Sequence, residues 1–515
     1  MMKSIPFKVP CIVNGKEVWS AQKASQFIPS KRRKALCEFA LAQKEDISTA
    51  IEGALQAKSK WQSLSHAQRA SVFLRAADLL TSPTYRYKVM AATMLGQGKT
   101  VWQAEIDSIA ELADFWRFNC AFAEEAIQSA GIKPLSPNLG KERNMIEFRP
   151  LDGFVSAISP FNFTAIGGNL ASAPALMGNV VLWKPSASAV YSNYLVFRIL
   201  QEAGLPDGVV QFLPASPTLF SQQTIGHSEL GGMHFTGSSA VFSTLWKEIA
   251  QNLDNYRQFP RIVGETGGKN MHFIHHSADL HSAVHQTIRA AFEYQGQKCS
   301  ACSRLYIPES ISQQFLALLL AETAKIKVGH VEEMQNFLSA VINQSAYDKI
   351  TGYIEKAKEL GAKVLAGGKY SSEEGFYIQP TILQVPKADF LTMKEEIFGP
   401  VLSVYIFPDC QYENMLKEAS EATPYALTAG IFASDLEFIK KAKEMLKFAA
   451  GNLYINDKCT GAVVGQQPFG GARKSGTNDK AGSLLNLLRW TSPLTVKENF
   501  CTLENWAYPS NAVSE

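Results

Sequence analysis

The sequence predicts an α/β protein with doubly wound, mostly parallel strands and two large domains. Its length of 515 residues exceeds what one hydrophobic core normally organises. From Gly153 onward, short apolar runs alternate with amphipathic helical stretches, the rhythm of parallel strands joined by crossover helices. With 46% hydrophobic and 19% charged residues, the chain has the balance of a globular protein.

A short strand is expected near 11–13, followed by a mainly helical first third, in which 67–80 and 101–123 carry apolar residues at helical spacing with few breakers. The cluster Lys31-Arg32-Arg33-Lys34 is read as a solvated loop, since four charges without interleaved aromatics make a poor binding surface. Residues 131–150 contain Pro134, Pro137 and Gly140 and read as a loop leading into an exposed strand at 144–150. Strands are then predicted at 154–159, 179–183, 209–213 and 233–235, each short and apolar as buried parallel strands are. The clearest helix starts near Ser186 or Ser188, puts Val190, Tyr194, Phe197 and Leu200 on one face, and stops at Gly204 with Pro206 beyond.

Composition excludes several classes. Fifty basic residues against forty-seven acidic give a formal net charge of +3, with no long single-sign run to attract nucleic acid or an anionic membrane. No window approaches eighteen consecutive apolar residues. The eight cysteines are too sparse and irregular for a disulfide framework, which points to a reducing compartment and free thiols. The opening residues lack both an apolar signal core and the arginine-rich, amphipathic character of a transit peptide, which fits a cytoplasmic location.

Two segments carry the chemistry. Gly264-Glu265-Thr266-Gly267-Gly268-Lys269-Asn270 places a carboxylate among glycines, where cofactor and water approach closely. Gln295-Gly296-Gln297-Lys298-Cys299-Ser300-Ala301-Cys302 places a thiol beside a lysine, whose charge favours thiolate. A base and a nucleophile suit covalent chemistry at a carbonyl carbon. A three-glycine dinucleotide fingerprint is missing, but Phe235-Thr236-Gly237-Ser238 precedes a helix start that can meet a phosphate with backbone N–H groups. The Cys299-x-x-Cys302 pair also admits a redox dithiol, with a 299–302 disulfide as a reversible inactivation, or half a zinc site. Zinc needs two further ligands, no second C-x-x-C exists, and His272, His275 and His276 lack the spacing of a finger, so no metal is expected.

Seven ordered blocks resemble the aldehyde dehydrogenase superfamily: Ser159-Pro160-Phe161-Asn162-Phe163, Trp183-Lys184-Pro185-Ser186, Phe235-Thr236-Gly237-Ser238, the segments at 264–270 and 296–299, Glu395-Glu396-Ile397-Phe398-Gly399-Pro400 and Pro468-Phe469-Gly470-Gly471. Longer runs at 161–169, 296–304 and 465–473 are similar to one branch, the L-glutamate γ-semialdehyde dehydrogenases. The resemblance covers roughly residues 8–500. It implies a Rossmann-like NAD-binding domain at 1–130 and 151–267, an α/β catalytic domain at 268–470, and a small β oligomerisation flap at 131–150 and 485–505.

It also implies roles. Cys299 would be the nucleophile, Asn162 an oxyanion donor with the Cys299 backbone N–H, and Glu265 the base that readies water for a thioester. Ser159, Lys184, Ser186, Gly237, Ser238, Glu396 and Phe398 would contact NAD. Glu111, Phe163, Ser300, Gly461, Ala462 and Phe469 would contact the substrate, with Glu111 meeting its α-ammonium group. The implied reaction oxidises L-glutamate γ-semialdehyde, opened from 1-pyrroline-5-carboxylate, to L-glutamate, the second step of proline breakdown. A homodimer or higher homo-oligomer is implied by the flap, and neither nucleic acid nor membrane is expected as a partner. The resemblance, and not the opening residues, makes the mitochondrial matrix the other expected location.

Two departures from the family pattern, one in the loop at 459–462 and one at 187, bear on specificity. Thr460-Gly461-Ala462 has an alanine where a serine usually meets the substrate carboxylate, and Cys459 stands where serine is common. Ala187 replaces the acid with which many relatives accept a ribose hydroxyl and repel a 2′-phosphate, so discrimination against NADP is expected to weaken.

Overall fold

Among the described residues five strands, not one, precede the first helix: Phe7–Val9, Cys11–Val13, Lys16–Val18, Lys23–Ile28 and Lys31–Ala40. The computed structural model describes residues 5–132, 135 and 139–511. Lys31-Arg32-Arg33-Lys34 is therefore no loop. It opens a strand whose charged end is more open while Leu36, Cys37, Phe39 and Ala40 are buried. The flanking charges hid the apolar half of the strand from the sequence pattern.

The first large sheet runs Arg261–Glu265, Leu230–Thr236, Phe154–Ile158, Val181–Lys184 and Val210–Phe212 in parallel, then Cys11–Val13 and Lys16–Val18 antiparallel. The chain order reverses between Phe154–Ile158 and Leu230–Thr236, which makes the ends of these two strands the topological switch point. Ser159 and Gly237 follow directly from them. The helix Val190–Glu202 buries Val190, Val196, Phe197 and Leu200 and ends before Gly204, whose φ of 91° is the left-handed conformation of a helix stop.

The helical stretch predicted at 101–123 holds a defect. Val101–Glu105 and Leu112–Gln128 are α-helical, but Ile106–Glu111 between them is a π-turn. Such turns shift the side chains that follow and collect at functional sites. Here the turn carries Asp107 and Glu111.

The second large sheet has the order Lys363–Ala366, Thr381–Gln384, Val401–Phe407, Cys302–Pro308, Asn270–Ile274, Thr428–Phe432 and Asn452–Ile455, parallel except for its first pair. Glu265 ends the edge strand of the first sheet and Asn270 starts a central strand of the second. Four residues therefore cross between the sheets. The crossing is tight: a Cβ on Gly268 would stand 2.3 Å from the Cys299 carbonyl oxygen, so no larger residue fits.

The chain returns after 470 to the first sheet, where Leu487 and Trp490 join its core. It ends as a third sheet, in which Thr491–Asn499 pairs with Glu142–Pro150 over nine register positions and Gly131–Ile132 lies on the other side. Pro134 and Pro137, read as breakers in this region, lie outside the described residues.

Candidate active site

The nucleophile loop is held by backbone strain and a surrounding frame of hydrogen bonds. Tyr294, Gln295 and Gly296 have φ of 54°, 56° and 65° in succession, and the first two are non-glycine residues in the left-handed region. Each costs about 1–3 kcal/mol and persists only where its surroundings enforce it. The Gln295 side chain does so by donating to the carbonyls of Gly98 (3.0 Å) and Ala340 (2.8 Å). Gln297 Oε1 accepts from Ile342 N–H, and Asn270 Nδ2 donates to the carbonyls of Cys299 (2.7 Å) and Ala301 (2.9 Å).

The three predicted catalytic side chains converge. Asn162 is buried and its amide donates to the Gln297 carbonyl at 3.1 Å, two residues ahead of Cys299. The Glu265 carboxylate acts electrostatically on the Cys299 thiol. Burial pushes Glu265 well above the ordinary carboxylate range, aided by Asp479 and opposed by the Gly471 N–H and Lys480. Its Oε2 is buried without a hydrogen-bond partner, as suits an oxygen that must receive a proton from water.

The lysine beside the nucleophile does not do what its position in the sequence suggests. Lys298 Nζ is held 2.6 Å from Glu293, and both side chains are nearly buried. Burial pushes the Cys299 thiol up to about 12, and Glu265 and Glu396 push it the same way. The sequence-based expectation of a thiolate favoured by Lys298 is thus corrected: the lysine's charge is spent on Glu293.

Asn162 is fixed through residues that no local motif marks. The helix Thr164–Leu176 starts directly after it and receives no cap from its own Phe163. Asp107 supplies the cap from the π-turn, accepting from Thr164 N–H (3.0 Å) and Ala165 N–H (2.9 Å). The same carboxylate pairs with Lys99 at 2.6 Å, both 1% exposed, and the Lys99 ammonium lies over the rings of Phe163 (4.0 Å) and Tyr294 (4.6 Å). One buried ion pair thereby ties the oxyanion-side helix to the strained turn before Cys299.

The candidate substrate residues lie around this frame. Ser300 Oγ is 2.7 Å from Thr460 Oγ1, which joins the nucleophile loop to the loop carrying Gly461 and Ala462. Gly461 is exposed with φ of 87°. Phe469 makes a two-way backbone bridge with Ala481. Burial, and next Asp107, push Glu111 up to about 8 against Lys99 and Lys298.

At the switch point, Ser238 caps the helix Ser239–Gln251 by accepting from Val241 N–H, and Gly237 N–H donates to the Glu265 carbonyl. A Cβ at Gly237 would overlap the Phe235 ring at 2.6 Å. Lys184 is a buried ammonium whose only hydrogen bond among the described residues is a 3.4 Å contact to the Pro185 carbonyl, and burial lowers it to about 8. Glu396 accepts from Gly268 N–H at 2.8 Å, and Phe398, at φ of 62°, packs edge-on against Phe161. Ser186 Oγ accepts from Ser188 N–H. The Ser159 hydroxyl accepts from the Trp183 indole at 3.0 Å and donates to the Lys184 carbonyl at 3.4 Å, which ties the end of Phe154–Ile158 to the neighbouring strand.

The second cysteine of the C-x-x-C pair does find partners. His272, Cys302 and Cys459 bring their ligating atoms within 4.8 Å of one another, all buried. Local spacing did not show this meeting, because Cys459 arrives from a distant loop that no spacing rule covers. All eight cysteines are free.

Two mostly parallel sheets are joined by the crossing at 266–269, and a raised carboxyl group and the cysteine loop stand beside that crossing: fold and site suit an α/β enzyme of carbonyl chemistry. The chain belongs to the aldehyde dehydrogenase family, which matches residues 19–495. It is 52% identical over 514 residues to a delta-1-pyrroline-5-carboxylate dehydrogenase of Agaricus bisporus, covering 100% of this chain and 93% of that protein. The human mitochondrial protein of that name is 49% identical over 502 residues, covering 97% and 88%. Among solved structures, the delta-pyrroline-5-carboxylate dehydrogenase of Mycobacterium tuberculosis bound with NAD superposes with a TM-score of 0.93 at 45% identity, over 99% of this chain and 93% of that one.

Proposed function

We propose that the chain oxidises L-glutamate γ-semialdehyde, the open form of 1-pyrroline-5-carboxylate, to L-glutamate with NAD, in proline catabolism. The convergence of Cys299, Glu265 and Asn162 carries this reading, and the names and NAD-bound structure of relatives at 45–52% identity supply the substrate and cofactor.

The residues at the switch point fit a dinucleotide. Lys184 is a buried ammonium with no strong acceptor, as expected of a donor awaiting ribose hydroxyls. The N-terminus of Ser239–Gln251 offers backbone N–H groups behind a capping serine, and Gly237 lets the chain turn into it against the Phe235 ring, where a Cβ would clash. Glu396, held by Gly268 N–H, offers its second oxygen to the other ribose. Bound NAD supplies positive charge that favours the thiolate and a ring that accepts hydride.

The chain's own groups perform the remaining steps. Cys299 Sγ adds to the aldehyde carbon, and the oxyanion forms against Asn162 Nδ2 and the Cys299 N–H. After the hydride leaves, a thioester joins Cys299 to the substrate carbon. Glu265 then takes a proton from water, which attacks the thioester and releases the acid and the thiol. Glu111, Phe163, Ser300, Gly461, Ala462 and Phe469 position the substrate.

A homodimer or higher homo-oligomer is part of the same reading. The edge strand Thr491–Asn499 is nine residues long, and beyond it Phe500, Leu503, Trp506 and Tyr508 are exposed, which supports pairing with a second copy. No helix among the described residues is long and apolar enough to cross a membrane. The human and Dictyostelium discoideum relatives are named mitochondrial, and the mitochondrial matrix or the cytoplasm is the proposed compartment.

The test is substrate-dependent NADH formation across a panel of aldehydes. Glutamate semialdehyde should give the highest kcat/KM, and Cys299→Ala should abolish turnover; activity retained by that variant defeats the mechanism. With Ala187 at the ribose end, NADP should also support turnover, at a lower kcat/KM than NAD.

A further inference from the structure

We propose that His272, Cys302 and Cys459 form a closed binding site for one soft, thiophilic metal ion, and that its occupation inhibits the enzyme through the peptide beside Cys299. The donor set carries the inference. Two thiols and an imidazole, all buried, have their ligating atoms within 4.8 Å of one another, three residues along the chain from Cys299 at Cys302. Zinc–sulfur bonds of about 2.3 Å and zinc–nitrogen bonds of about 2.0 Å require donors somewhat closer than this, a contraction within reach of side-chain rotation. Thiolate and imidazole select soft and borderline ions over magnesium or calcium.

The imidazole is in the tautomer a ligand needs, although a metal must displace one hydrogen bond to reach it. Cys459 N–H donates to the His272 Nε2 lone pair at 3.1 Å, a bond that ligation at Nε2 would replace, and Nδ1–H is left to donate to Thr287 Oγ1 at 2.9 Å. A hydrogen bond on the far nitrogen is the usual way a metal-binding histidine is oriented. Binding a divalent ion displaces one proton from each thiol, and the imidazole enters neutral.

Occupation reaches the nucleophile through Ser300. Its carbonyl accepts from Cys459 Sγ–H at 3.5 Å and from Thr428 Oγ1 at 3.4 Å, while its hydroxyl meets Thr460 Oγ1, the residue after Cys459. Metallation removes the thiol proton from the first contact, so the carbonyl must move or turn to the ion as a further ligand. Either movement pulls on the peptide next to Cys299. The site lies outside the catalytic steps proposed above, and metal binding itself is independent of that reading.

Cadmium ion is the probe, in the Cys299→Ser background so that the nucleophile is silent. One equivalent should bind with a thiolate-to-metal charge-transfer absorption, and Cys299→Ser/Cys459→Ser should lose most of that band. Equal spectra for the two chains would overturn the site. Anomalous scattering from a cadmium-soaked crystal of the unmutated protein gives a reading that needs no variant: a peak bonded to the sulfurs of Cys302 and Cys459 is expected, and its absence at full occupancy elsewhere defeats the proposal. With Cys299 present, Cys459→Ser should withstand at least tenfold more cadmium than the unmutated enzyme. Equal inhibition of the two would show that the ion acts at Cys299 alone and would overturn the inhibitory half.

Discussion

Lys298 Nζ lies 2.6 Å from the Glu293 carboxylate, and through this pair the charge nearest the nucleophile in sequence is withheld from it. Burial pushes Glu293 up, but the charge and hydrogen bond of Lys298 outweigh it and leave the carboxyl lowered. Lys298→Met should therefore leave the pH dependence of thiol alkylation nearly unchanged while destabilising the fold by about 3 kcal/mol, since it strands a nearly buried carboxylate. A lowered carboxyl contributes stability that is complete above the ordinary carboxylate range and fades as pH falls through its folded value. The difference in melting temperature between the two chains should accordingly shrink in acid. A large shift in the alkylation profile would restore Lys298 as the activator.

Glu265 titrates well above an ordinary carboxylate because it is buried. As a base it must be ionised, so thioester hydrolysis should rise with pH through that elevated value. Glu265→Gln should slow turnover by about 10²- to 10⁴-fold. Rapid mixing should then show one stoichiometric burst of NADH, and intact-mass measurement should find the acyl adduct on Cys299. An unchanged steady state would remove Glu265 from hydrolysis.

Asp107 connects two requirements that no sequence window shows together, capping the helix after Phe163 and neutralising Lys99. Asp107→Ala leaves an ammonium buried without its partner and should cost about 3–5 kcal/mol. Lys99→Met with Asp107→Leu should recover much of that stability yet not the catalytic rate, because the cap that places Asn162 is still missing. Thermal unfolding and kcat, measured on both variants, separate the two roles.

What could be read in the chain follows the range of the forces involved. The helix Val190–Glu202 was legible because its apolar period and its Gly204 stop are local, and the strands flanking it because they are short apolar runs. Cys299, Glu265 and Asn162 could be named as candidates because each sits in a motif. The strand Lys31–Ala40 was lost behind its own charges. The π-turn at Ile106–Glu111 repeats the helical pattern so closely that only the cap on Thr164 betrays it. The Lys99 and Asp107 pair, the Lys298 and Glu293 pair and the meeting of Cys302 with Cys459 depend on tertiary placement, which spacing does not encode.

Ala462 is the substitution in the substrate loop with the clearest consequence. Thr460 Oγ1 is engaged with Ser300 Oγ at 2.7 Å, so neither hydroxyl is wholly free for a carboxylate, and Ala462 adds no donor. A serine at 462 would restore one on the same loop, next to the exposed Gly461. A hydrogen bond to a charged group contributes about 1.5–3 kcal/mol when well aligned, and on a partly open loop about 1 kcal/mol is a fair expectation. Ala462→Ser should thus lower KM for glutamate semialdehyde roughly fivefold with kcat little changed, since the contact is present in ground and transition states alike. An aldehyde of the same length without the α-carboxylate should show no such gain. If both substrates respond equally, or neither does, the loop at 460–462 does not bind the carboxylate.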